Sequence, residues 1–281
     1  MNAAAEGINA DALRRDQSRE RWALLGLSAP AALLVLVIVV IPVGWLFYLS
    51  LFNDDGALSL RNYTRMLESK SYLRIFATTF NVSFMTTAIC VLLGYPLAYF
   101  LAQLPRRWAA LGMMAVLLPF WTSLLVRTYA WLVVLQRKGL INQWGMELGL
   151  WDAPLKLAHN LNGTLIGMAH IMLPFLVLPL YGSMKAIDSD YMKAAANLGA
   201  GPASAFRHVF LPLSLPGLFA GVVIVFVLCL GFFVTPAVLG GGRVIMVSMK
   251  IENLIDLFFN FGTASALGVV LLALTLMVLF A

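Results

Sequence analysis

Three adjacent glycines, Gly240, Gly241 and Gly242, followed by Arg243, are the nearest approach in the chain to a phosphate-cradling loop. A nucleotide loop of the G-x-x-x-x-G-K-[ST] type needs a lysine for the phosphates and a hydroxyl for the metal ion. Neither follows here, so the glycines are expected to make a turn. His159, His170 and His208 are far apart and form no H-E-x-x-H pair, which leaves no metal-ligand spacing. Cys90 and Cys229 lie inside apolar runs and read as packing residues, not as a disulfide framework or a metal site. The charge that stands out is Arg127, in the run PFWTSLLVRTYAW, because no acid occurs inside any apolar run to pair with it. It either snorkels to an interface, or lines a polar path or pairs across helices with a group from a loop or another subunit. His170, also within an apolar run, is expected to bond to a neighbouring helix.

These residues are carried by a membrane chain. Of 281 residues, 61% are hydrophobic and 11% charged, against about 25% charged in a typical soluble domain. The net charge of +6 sits mainly in short tails and loops between apolar runs, which argues against nucleic acid as a partner and for membrane lipid. Runs long enough to cross a hydrocarbon core of about 30 Å lie near 23–51, 75–102, 109–135, 161–183, 215–238 and 261–281, giving an all-α protein with six transmembrane helices. The first run is too long for a signal-peptide core, so it is retained. The chain divides into a polar tail over 1–22 and a membrane domain over 23–281. Pro42, Pro96, Pro119, Pro174 and Pro179 are expected to bend helices without ending them. Lys and Arg are nearly balanced between the two sides. The Arg-rich tail (Arg14, Arg15, Arg19, Arg21) and the tight Arg106-Arg107 turn favour a cytoplasmic N-terminus, and six spans return the C-terminus to the same side. The last run stops at Ala281 with no polar tail, which predicts a truncated terminus.

The stretch 188–217, DSDYMKAAANLGAGPASAFRHVFLPLSLPG, is too polar to sit in the bilayer. Asp188, Ser189 and Asp190 can cap a helix, and Gly199 can end it as a left-handed residue. Between them Tyr191, Ala194, Ala195 and Leu198 recur at i, i+3, i+4 and i+7, a shallow face fit for a partner's groove. Pro202 can start a second short helix, expected to run to Val209 and stop near Pro212. The competing reading is a helix lying in the headgroups, anchored by Phe206, Arg207 and His208.

Ala194-Ala195, Leu198-Gly199-Ala200, Phe206, Leu211-Pro212 and Pro216-Gly217 resemble the EAA loop of permease subunits in type I ATP-binding-cassette importers. The family's leading glutamate is replaced here by Lys193. Leu118 to Ser123, Arg127 to Trp131, Gly139 to Asn142, Phe233 to Pro236 and Leu239 to Gly241 are similar to spermidine/putrescine-type permeases, although Phe232 stands where many relatives carry an acid. The resemblance implies a permease fold and a multi-pass protein of the bacterial inner membrane. It implies no catalytic residue and no cofactor on this chain, with ATP and Mg held by a cytoplasmic ATPase present in two copies. It further implies a second permease and a periplasmic substrate-binding protein as partners. The coupling residues would be Tyr191, Lys193, Ala194, Ala195, Leu198, Gly199, Ala200, Phe206 and Pro212. The substrate path would be lined by Trp121, Arg127, Tyr129, Phe232 and Phe233.

The substrate indications diverge. The resemblance points to a polyamine, whereas Arg127, Phe232 and the absence of intramembrane acids point to an amino-acid-derived or carboxylate-bearing solute. Aromatic faces such as Trp121, Tyr129, Trp131 and Phe233 could still take an ammonium group. An ion-driven secondary transporter would usually show intramembrane acids, and a membrane enzyme would need convergent polar groups. The sequence shows neither.

Overall fold

Inside a bilayer the backbone has no water to bond with, so each apolar run must satisfy its own N–H and C=O groups, and helices do this locally. The computed structural model describes residues 2–52 and 57–280, with the backbone alone for residues 2–19, 21, 23 and 25. Among the described residues the regular structure is helical apart from one isolated bridge between Phe52 and Leu58. The helices are α1 (Asn2–Ser50), α2 (Arg61–Glu68) and α3 (Lys70–Gln103), then α4 (Arg106–Leu117), a 3-10 turn (Leu118–Trp121), α5 (Leu124–Leu135) and α6 (Leu140–Glu147). There follow α7 (Leu161–Lys185), α8 (Ser189–Asn197), α9 (Pro202–Ala205), a π turn (Phe206–Phe210) and α10 (Leu211–Leu230), and last α11 (Val234–Leu239), α12 (Val247–Asp256) and α13 (Phe261–Phe280). The side chains of the tail arginines 14, 15, 19 and 21, and the terminus at Ala281, lie outside the described residues. The α1 backbone runs unbroken through position 22, so the expected boundary between tail and span is one of composition only.

Among the described residues five segments are long and apolar enough to span a membrane: Gly26–Ser50, Lys70–Gln103, Leu161–Lys185, Pro202–Leu230 and Phe261–Phe280. The expected third span, 109–135, is not one helix. Arg106–Trp121 and Leu124–Glu147 meet at an angle of 98°. Pro119 has no N–H to give the preceding turn, the Thr122 hydroxyl takes the Pro119 carbonyl at 2.7 Å, and Thr122 and Ser123 are both extended. What reads as a tolerated proline bend is therefore a break.

The fifth span differs at both ends. The loop's second helix does not stop near Pro212 but continues through α9, the π turn and α10 to Leu230. The Leu211 N–H bonds to the Phe206 carbonyl five residues back, and this wider turn takes up the ring and the missing donor of Pro212. At the far end the helix stops at Leu230, short of 238. Pro236 cannot donate to the Phe232 carbonyl, which accepts instead from the Ser248 hydroxyl at 2.8 Å.

The core is the packing of α3, α7 and α10 around Cys90, Met168, Met172, Leu176, Val225 and Cys229. Apolar side chains gain nothing from leaving lipid, so close packing must hold these helices together. Gly217 and Gly221, one turn apart, supply it. A Cβ at 217 would fall 2.3 Å from the Ser183 Cβ, and one at 221 would fall 3.1 Å from the Leu176 carbonyl oxygen. A polar clamp ties the far ends together: buried Asn62 donates to the Ser50 and Phe52 carbonyls and accepts from the Thr263 hydroxyl. Apart from its packing on α13, α1 is largely exposed over Gly26–Ser50.

Candidate functional site

The 188–217 loop is built from its caps inward. The Asp188 carboxylate accepts from the Asp190 N–H at 2.9 Å and starts α8. At the other end Gly199 takes φ +84°. Its N–H reaches the Ala196 carbonyl at 2.9 Å and the Ala200 N–H reaches the Ala195 carbonyl at 3.0 Å. This pair of bonds is a Schellman stop, which needs a left-handed residue between them. Lys193 bonds to Asp190 at 2.7 Å on the outer surface of the helix.

Tyr191 and Leu198 are 57% and 89% exposed, with Ala194 exposed between them. Ala195 does not join that face. It is buried, since at 100° per residue it sits between Tyr191 and Met192 and turns with Met192 towards the chain. Ala200 is half-buried beside the stop. Phe206 also turns inward, its ring edge-on to Tyr95 and Tyr99 at 6.3 and 5.3 Å and stacked with Phe210 at 5.7 Å. Tyr95 further bonds to the Ser214 hydroxyl at 2.9 Å, and the Lys185 ammonium donates to the Ala102 carbonyl at 3.1 Å. Aromatic contacts and hydrogen bonds thus hold the loop on the end of α3, while Tyr191, Ala194 and Leu198 face outward. Pro212 lies in the first turn of α10 and shapes the π turn, apart from the α8 face.

The expected path residues do not form one lining. Trp121 is 88% exposed at the end of the 3-10 turn, and Tyr129 is exposed on α5. Phe232 packs on the main core and Phe233 is half-buried at the start of α11. Arg127 keeps different company. Positions 127 and 131 share a face of α5 while 129 lies nearly opposite, and Trp131 meets His170 of α7 edge-on at 5.5 Å. Arg127 Nε and Nη1 and His170 Nδ1 are buried without a hydrogen-bond partner. One residue further on, Thr128 bonds to Thr235 of α11 at 3.3 Å. That the face of α5 bearing Arg127 and Trp131 turns towards His170 was not legible in sequence, because it depends on how α5 leaves the break and packs on α7.

The family described as binding-protein-dependent transport system inner membrane component matches residues 14–281. The spermidine/putrescine transport system permease protein PotB of Escherichia coli K12 is 33% identical over 230 residues, 79% of this chain and 83% of that one. PotB of Haemophilus influenzae is 33% identical over 251 residues, 86% and 87% of the two chains. A crystal structure of a bacterial alginate ABC transporter, in complex with an alginate pentasaccharide-bound periplasmic protein, aligns at TM-score 0.71 and 15% identity. It covers 95% of this chain and 94% of that one, and at this identity the likeness is one of fold. With the match running through nearly the whole helical chain, the protein belongs to the binding-protein-dependent transport system inner membrane components and is a permease subunit of an ATP-binding-cassette importer.

Proposed function

We propose that this permease moves a polyamine from periplasm to cytoplasm and is driven through the 188–217 loop by a separate ATPase. One observation carries the coupling role: Tyr191, Ala194 and Leu198 are exposed on a helix capped at both ends and braced against α3 by Phe206, Tyr95 and Tyr99. A braced helix with an uncovered apolar face suits a groove on another protein. Two ATPase copies, holding ATP and Mg, would dock on this loop and its counterpart on a second permease, while a periplasmic binding protein delivers the solute. The loop and the Arg106-Arg107 turn then lie on the cytoplasmic side, with both termini. Closure of the ATPases would move α8, and the loop's continuity with α10 would carry that movement to the α3–α7–α10 core. The polyamine assignment rests on the two relatives' names. Radiolabelled putrescine uptake into vesicles containing the complete transporter tests it: excess spermidine should abolish uptake, and failure to compete refutes the substrate. Crosslinks from Tyr191 and Leu198 should reach the ATPase, and crosslinks only to periplasmic protein would reverse the topology.

A second reading, a carboxylate-bearing solute, is favoured by the unpartnered donors of Arg127. It predicts that glutamate, and not spermidine, competes for uptake.

A further inference from the structure

We infer that Arg127 is one half of an inter-subunit ion pair, and that Arg127, His170 and Trp131 form a site for a carboxylate side chain of the second permease subunit. Six buried side-chain polar atoms in the described residues lack a hydrogen-bond partner, and three of them belong to Arg127 and His170. Guanidinium nitrogens only donate, so Nε and Nη1 call for an acceptor, and a fork of donors fits a carboxylate best. Nothing in the described chain supplies one. Among the described acids Glu20 lies within α1 and Glu252 within α12, the others lie at helix ends or in loops, and the ion pair among the described residues is Lys193–Asp190 on the loop. Snorkelling would free the outer part of the guanidinium and still leave Nε and Nη1 covered without an acceptor.

The break beside Arg127 points the same way. Extended backbone at Thr122 and Ser123 leaves the first N–H groups of α5 without helical partners, which is tolerated at membrane depth only against protein or a water-filled path. In the two-permease reading, the other subunit or the path between subunits covers these groups. Under the polyamine and two-permease reading above, on which this proposal rests, the cargo is a cation and cannot supply the acceptor. A side chain of the other half must do so. A carboxylate held there would also be the negative charge that a desolvated ammonium requires and that the spans of this chain lack. Arg127 then positions the charge that meets the cargo.

The test labels wild-type protein with the arginine reagent phenylglyoxal and maps the adducts by mass spectrometry, using Arg106 and Arg107 as internal references. In the assembled transporter without solute, Arg127 should react about tenfold or more slowly than in this chain purified alone, because a paired guanidinium is shielded. Arg127→Lys should retain the second permease on purification, whereas Arg127→Glu should lose it until an acid of that subunit is changed to arginine. Equal reaction rates in the two preparations overturn the pair. Protection that appears only when glutamate is added as a probe assigns the site to a solute carboxylate and overturns the inter-subunit source. Assembly of this chain with copies of itself alone would refute the two-permease reading, and with it the pair. A heteromeric complex with an unprotected Arg127 would refute the pair alone.

Discussion

The 188–217 loop and the Arg127 neighbourhood are built on opposite terms. In the loop both α8 caps and the anchoring Lys185 and Tyr95 find partners within the chain, and the uncovered face of Tyr191, Ala194 and Leu198 is mainly apolar. Around Arg127 the exposed side of α5 is apolar while buried donors stand unpaired. A segment whose polar groups are all satisfied can hold its shape before a partner arrives. One with unpaired buried donors is complete only when something else supplies the acceptor. The loop is a finished surface and the Arg127 site is half of one.

The sharpest way to break this contrast is to remove a brace. Phe206→Ala deletes a ring that touches Tyr95, Tyr99 and Phe210 and should cost about 2–3 kcal/mol for a half-buried aromatic. Thermal unfolding in detergent should show the loss, and ATPase binding should fall with it; unchanged unfolding would mean that the cluster does not brace the loop. Replacing an unpaired charge should act in the other direction. Arg127→Met should raise the stability of the isolated chain by about 1–2 kcal/mol, since an unpaired buried charge is worse than an apolar side chain of similar length. A fall in stability would show that the guanidinium is already satisfied.

Smaller effects test the loop's ends. Gly199→Val places a β-branched residue at φ +84°, costing about 1–2 kcal/mol of local strain, while the space around its Cβ is open. The chain should insert normally, with weaker ATPase recovery on pull-down and slower uptake; wild-type uptake would remove the need for the left-handed stop. Asp188→Ala loses the N-cap bond and should cost about 1 kcal/mol, read as faster amide exchange over 189–193. Least of all for stability, Leu198→Ser should change unfolding by under about 0.5 kcal/mol, as an exposed substitution, yet still weaken the ATPase complex. Intact binding in this variant would mean that the uncovered face is not the docking face.

By itself the sequence determined the features that depend on neighbours along the chain. The apolar runs had to become helices because lipid offers the backbone nothing else, and Asp188 and Gly199 set both ends of α8 because cap chemistry acts over a few residues. Family membership was legible for the same reason, through motifs contained in single stretches. The tertiary structure decided what depends on distant groups competing for one donor or one space. Pro119 reads like Pro174 and Pro179, yet only Pro119 lies at a break, where the Thr122 hydroxyl takes its carbonyl and two residues become extended. Pro212 reads as a helix stop, but the π turn before it absorbs the missing donor and α10 runs on. Ala195 joined the docking face by period and Phe206 the coupling residues by resemblance, yet Ala195 is buried and Phe206 turns inward onto Tyr95 and Tyr99. Arg127 was visible as an unpaired charge. That its face of α5 turns towards His170, through Trp131, followed only from how α5 leaves a 98° break that no local pattern encodes.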